Sequence, residues 1–173
     1  MSILDRLFRR RDDRSALVPL YHNIVMAARQ PHWYRDGAVP DTIDGRFDTL
    51  STLLALVLLR LEDDSAARAE TAQLTELFVA DMDGQLREIG IGDLVVGKHV
   101  GKMMGALGGR LGALRDGLAP DGAFADALVR NLWRGEAPPP AALATVEGRL
   151  RAFSAALAAT DTPALLAGAL PTP

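Results

Sequence analysis

The sequence predicts an all-α fold: a single compact domain of about six to eight helices with no sheet. Three observations carry that expectation. Nearly half of the 173 residues are apolar, and the aliphatic ones, Leu and Ala above all, far outnumber the aromatic, which make up 5%. Leu and Ala lose little side-chain entropy on entering a helix. Val, Ile and aromatic residues, which favour strands, are too sparse to build a large sheet. Along most of the chain the apolar residues recur at spacings of three and four, the period of a helix face. A chain of this length is sufficient for one core.

The elements follow in order. Residues 2–11 predict a short helix with Ile3, Leu4, Leu7 and Phe8 on one face and Arg6, Arg9, Arg10 and Arg11 around it. This basic amphipathic segment, residues 1–14, stands apart from a helical domain over 15–173. It suits a first helix docked on the domain, a frayed terminus, or an anionic membrane surface, where each basic residue contributes roughly 1 kcal/mol. A second helix runs from about Ser15 to Arg29, with Leu17, Leu20, Ile24 and Ala28 on its apolar face, and Pro31 ends it. The segment PHWYRDGAVP reads as a connection whose Trp33 and Tyr34 plug the core.

A third helix starts near Asp41 or Asp44, each a candidate N-cap, and reaches about Glu62. It is apolar around most of its circumference, which marks a central, buried helix. Ser65 caps a fourth helix reaching Glu88, Gly90 and Gly92 turn the chain, and Asp93 caps a fifth reaching about Leu118. Pro120 and Asp121 open a short helix through Trp133. The APPP run at 137–140 leads into a helix over 141–159, and Thr162 with Pro163 opens a last one before a frayed tail. Residues 137–173 read as a loosely attached C-terminal helix pair.

Composition also narrows function. The net charge of −3 gives no field for specific nucleic-acid binding. The absence of cysteine excludes disulfides, thiolate metal sites and cysteine nucleophiles. The N-terminus lacks the apolar core of a secretory signal. The longest apolar stretch, Leu53 to Leu59, falls far short of the roughly 20 residues a spanning helix needs. A cytoplasmic protein is expected, with peripheral contact at the inner face of the inner membrane as the extension its basic segment suggests. His22, His32 and His99 are scattered, and none follows a Glu by three residues. There is no HExxH, phosphate loop, nucleophile elbow or dinucleotide fingerprint. No catalytic residue, metal or cofactor is therefore assigned.

Three constellations remain. In VPDTIDGRFDTL, at 39–50, Asp41, Asp44 and Asp48 surround Arg46 beside Phe47 at a helix start, where acids satisfy free amides or form a partner-binding patch. In DMDGQLREIG, at 81–90, Met82, Leu86 and Ile89 continue an apolar stripe from Leu74 and Phe78. Asp81, Gln85 and Glu88 lie in or beside that stripe, while Asp83 and Arg87 pair on the opposite side. An alternative reading makes Asp81, Asp83 and Glu88 the carboxylates of a metal-dependent helical enzyme.

The third constellation is the fifth helix. Val96, Val100, Met103, Leu107, Leu111, Leu114 and Leu118 form its apolar stripe. Gly97, Gly101, Gly105 and Gly109 recur every four residues on another face with Lys98 and Lys102, and Gly108 and Gly112 lie alongside. Each helical glycine costs roughly 1 kcal/mol against alanine. Close approach of a neighbouring helix of the same chain would explain the series, and so would a partner helix in a smooth, weakly basic groove.

LYHNIVMAARQPHWY, VPDTIDGRFDTL and DMDGQLREIGIGDLVVGKHVGKM resemble, in order and spacing, segments of the ubiquinol–cytochrome c chaperone family, over roughly residues 17–135. The motif positions are Pro40, Asp41, Asp44, Gly45, Arg46 and Phe47, then Asp81, Asp83, Leu86, Arg87, Glu88, Gly90, Gly92, Asp93 and Lys98. Ser51 and Thr52 stand where the family tends to have a His, and Gly108 stands where it favours a Tyr. The resemblance implies a helical, non-catalytic assembly chaperone for ubiquinol–cytochrome c reductase. Its partners would be newly made cytochrome b or an early assembly intermediate, with the ribosome near the tunnel exit as a further contact. A generic lipid-surface adaptor is the other non-enzymatic reading.

Overall fold

The computed structural model describes the backbone of residues 3–88, 90 and 92–173, and the side chains of 16–88, 90, 92 and 95–173. Its elements are α1 (Ile3–Ala28), α2 (Pro31–Arg35), α3 (Ile43–Glu62), a 3₁₀ turn (Ser65–Ala67), α4 (Arg68–Glu88), α5 (Asp93–Leu118), α6 (Phe124–Leu132), α7 (Pro140–Ala159) and α8 (Thr162–Leu166). Among the described residues there is no strand. The all-α expectation holds.

The core is organised around α3. Leu53, Leu54, Ala55, Val57 and Leu61 are wholly excluded from solvent, and α1, α4, α5, α6 and α7 all pack against this helix. Its buried hydroxyls are satisfied locally. Thr49, Ser51 and Thr52 donate to the carbonyls of Gly45, Phe47 and Asp48, at 2.9, 2.6 and 2.7 Å. A polar group bonded to its own preceding turn enters an apolar interior without an orphaned donor. Val146, Leu150, Phe153 and Leu157 of α7 and Leu165 of α8 belong to the same apolar cluster as α3.

Several boundaries differ from expectation. The first two predicted helices are one, because nothing in RRRDDRSA breaks a helix, and the helix runs on through Pro19. Leu4, Leu7, Phe8, Arg9, Arg10 and Arg11 lie outside the described side chains. PHWYR is a short helix with Pro31 at its first position, so the proline starts α2 as well as ending α1. Trp33 Nε1 donates to Ala27 O at 2.9 Å and the Tyr34 hydroxyl to Ala28 O at 2.7 Å. The two aromatics thus satisfy the exposed carbonyls at the end of α1 while filling space.

The caps lie one or two residues from the expected positions. The N-cap of α3 is Thr42, whose hydroxyl accepts from Gly45 N at 3.1 Å, and neither Asp41 nor Asp44 holds that position. Asp64 caps the 3₁₀ turn in place of Ser65. Gly92 is the N-cap of α5, and Asp93 is its first helical residue. The turn closed by Gly122 N to Ala119 O delays α6 to Phe124. The expected frayed tail is pinned: Asn23 donates to Gly168 O at 2.9 Å, and Pro173 is buried.

The glycines divide sharply. A Cβ on Gly45 would lie 1.9 Å from Pro40 O, whereas one on Gly97, Gly101, Gly105, Gly108, Gly109 or Gly112 would meet nothing within 4 Å. Among the described residues no neighbouring helix comes within contact of a Cβ at these glycines, so close packing within that part of the chain does not account for them. Gly101→Ala and Gly105→Ala are each expected to raise unfolding free energy by roughly 1 kcal/mol. Gly45→Ala is expected to lower it by about 1–3 kcal/mol. Urea denaturation of the three variants measures both signs.

His32 supplies a pH dependence. Its ring lies 4.4 Å from that of Trp33, and its Nε2 is buried without a hydrogen-bond partner. Burial lowers its pKa below the ordinary 6.5, Arg149 and Arg35 push in the same direction, and Asp36 opposes them. The unfolded chain therefore takes up this proton first. The stability held by neutral His32 is complete above the ordinary pKa and is lost as pH falls from there through the lowered folded-state pKa. Denaturation midpoints measured from neutral to mildly acid pH are expected to fall less steeply for His32→Phe than for the natural chain.

Candidate functional site

An open cleft of about 280 Å³ lies where the C-terminal ends of α1 and α4 meet the first turns of α3. Its apolar lining comes from four helices: Val25 of α1, Phe47 and Leu50 of α3, Met82 and Leu86 of α4, and Met103 of α5. Tyr34 of α2 completes the wall. Arg29, Arg46, Gln85 and Glu88 supply its polar edge, and Ile43, also lining it, is 71% exposed. An apolar concavity edged by charges of both signs suits an apolar segment with polar flanks. Unbranched methionine side chains adapt to irregular surfaces better than branched ones.

Hydrogen bonds and ion pairs hold the walls. The Tyr21 hydroxyl of α1 donates to Asp81 of α4 at 2.6 Å, and Gln85 Nε2 donates to the other carboxylate oxygen at 2.9 Å. Burial, reinforced by the adjacent Asp81, raises the pKa of this hydroxyl far above its ordinary value, so it remains a donor. Arg46 pairs with Asp41 at 2.7 Å and lies 5.7 Å from the centre of the Tyr34 ring.

The predicted site residues separate into distinct places. Arg46, Phe47 and Glu88 line the cleft. Arg46 does not gather three acids. It takes Asp41, while Asp44 pairs with Arg134 at 2.8 Å and Asp48 turns inward. Asp83 pairs with Arg87 at 2.7 Å and lines a separate groove between α4 and α5. Lys98, Gly101, Lys102 and Gly105 are exposed on α5. The side chain of Asp93 lies outside the described residues. The carboxylates of the enzymatic alternative do not converge: Asp81 is engaged by Tyr21, Asp83 by Arg87, and Glu88 borders the cleft. Among the described residues no group of three His, Asp or Glu side chains is placed to hold a metal ion.

Sequence reasoning missed the buried ionic cluster beside the cleft. Asp48 accepts from Arg110 Nη2 at 2.9 Å and from Arg134 Nε at 2.8 Å. Arg110, 4% exposed, also donates to Asn131 O at 2.8 Å and to the Ser51 hydroxyl. The signal for Arg110 was present: it lies seven residues after Met103 and three after Leu107, on the apolar stripe of α5. A charge on an apolar stripe requires a buried partner. Arg134 carries no such signal, because its reach depends on a left-handed backbone, φ +55°, just past α6.

Removal of one wall contact gives a measurable effect. Tyr21→Phe deprives half-buried Asp81 of its inter-helix donor, and a loss of about 1.5 kcal/mol is expected in chemical denaturation.

The ubiquinol-cytochrome C chaperone family matches residues 35–172, starting later and running further toward the C-terminus than the resemblance read from motifs. Among curated proteins, none matches the sequence. The crystal structure of the Cbp3 homolog from Brucella abortus is similar, with a TM-score of 0.80 and 32% sequence identity, covering 99% of this chain and 97% of that one. The family match spans most of the chain and the likeness in fold extends nearly end to end, so the chain belongs to the ubiquinol–cytochrome c chaperone family and has a chaperone's role toward ubiquinol–cytochrome c reductase.

Proposed function

We propose that the cleft receives an apolar segment of newly made cytochrome b, or of an early assembly intermediate containing it, and shields that segment until the reductase is assembled. One observation carries this reading. The three segments that resemble the family lie on different helices, the third some thirty residues beyond the second, yet each lines the same cleft: Val25 and Tyr34 from the first, Arg46 and Phe47 from the second, Met82, Glu88 and Met103 from the third. Methionines on an apolar surface accommodate client segments of varied shape. Shielding an apolar segment requires complementary surface and no cofactor, so the protein acts by binding.

Loading at the ribosome and contact of the basic N-terminal segment with an anionic membrane belong to the same proposal. They would place the protein on the cytoplasmic side of the inner membrane, where its client is inserted. No helix among the described residues is long and apolar enough to cross a membrane.

Deletion of the gene, followed by membrane haem spectra and reductase activity, tests the role. The expected result is loss of the reductase's b-type signal with other respiratory complexes intact. Reintroduced Met103→Glu, which places a charge in the cleft, is expected to fold with unchanged helicity and to leave the reductase deficient. Full restoration by Met103→Glu would transfer the client from this cleft to another surface.

A further inference from the structure

Helix α5 forms one wall of the cleft through Met103, and the Arg115–Glu62 pair ties its far end to α3. Among the described residues nothing packs against its six glycines between 97 and 112, so these do not fix its position. The apolar stripe by which α5 packs, with Leu107 and Leu114 buried, is non-directional and specifies register less sharply than a hydrogen-bonded ion pair does. Seven residues beyond Met103, on the same helix face, Arg110 makes contacts that permit one arrangement only. It meets Asp48 and Ser51 of α3 and the Asn131 carbonyl at the end of α6. Its guanidinium also lies 5.9 Å from the centre of the Phe47 ring, which lines the cleft.

This cluster is poorly suited to adding stability. Burial works against the charge of Arg110, and its Nε is buried without a hydrogen-bond partner. Burying an ion pair is often no better for stability than apolar packing of similar volume, and the best-attested use of such a pair is to specify register. We propose that Arg110, through Asp48, is a positioning residue: it holds α5 in a single register against α3 and so sets the shape of the cleft. The consequence for client handling rests on the cleft reading above, whereas the positioning itself does not.

The test uses the double variant Asp48→Leu/Arg110→Met, because either single change strands a buried charge and can prevent folding. The chain has no cysteine, so nitroxides attached at Asp63→Cys, at the end of α3, and Lys102→Cys, on exposed α5, report one inter-helix distance. The expected result is a folded double variant with a denaturation midpoint at or above that of the Asp48/Arg110 parent and a broadened or shifted distance distribution. In the deletion strain, the same double substitution without the cysteines is expected to leave the reductase deficient. A folded double variant with the parent's narrow distribution overturns the proposal. A double variant that does not fold also overturns it, by making the pair a requirement for stability itself. An altered distribution with normal reductase supports the positioning role and instead removes the cleft from client handling.

Discussion

Helix α3 has no solvent-facing stripe along its middle turns, and this constraint organises the molecule. A helix that is apolar all round must be enclosed, which demands at least one covering helix on each side. Here α1, α4, α5, α6 and α7 do so. The covering helices need only one apolar face each, as α4 shows with Leu74, Phe78, Met82 and Leu86 buried and Arg68, Arg87 and Glu88 exposed. Short connections then suffice, and aromatic side chains in them close helix ends, as Trp33 and Tyr34 do for α1.

The polar groups that enter this interior act in proportion to their directionality. Local hydroxyl bonds along α3 satisfy donors without linking elements. Asp48 is different, because it faces two arginines from separate parts of the chain and cannot exchange them for equivalents. Ser51 and Thr52 lie within a turn of Asp48. They contribute to this cluster as the acceptor for Arg110 and the hydroxyl that bonds Asp48 O.

The fold was legible from sequence because its signals are local and repeated. A 3.6-residue period in Leu and Ala survives any tertiary arrangement, and the enclosed character of α3 follows directly from its circumference. Cap positions were less legible, since Thr42, Asp64 and Gly92 each compete with an adjacent residue of similar capping ability. The cleft was legible only in pieces. Arg46, Phe47 and Glu88 were singled out individually, but no periodicity reveals that residues near 25, 47, 86 and 103 meet in space. The partnership of Asp48 with Arg110 was hidden for the same reason, even though the apolar stripe already exposed the anomaly of Arg110.

Both ends of α3 are fastened, the N-terminal turns by Asp44 and Asp48 to Arg134 and Arg110, and the cleft opens beside those turns. At the C-terminal end of α3, Arg60 donates to Leu157 O at 3.0 Å and to Thr160 O at 2.8 Å, fastening the end of α7. Glu62 and Arg115 add a pair at 2.6 Å to α5. At its N-terminal end, the cap and the Pro40 carbonyl crowd against Gly45, so the chain entering α3 occupies the space where a covering helix would otherwise approach. The walls are left without a common plug, and apolar side chains of α1, α3, α4 and α5 line the opening between them. An apolar opening on an otherwise fastened scaffold leaves a binding surface without loosening the core. A fully sealed bundle would offer no surface, and one loose at both ends would lose the enclosure of α3 on which its fold depends.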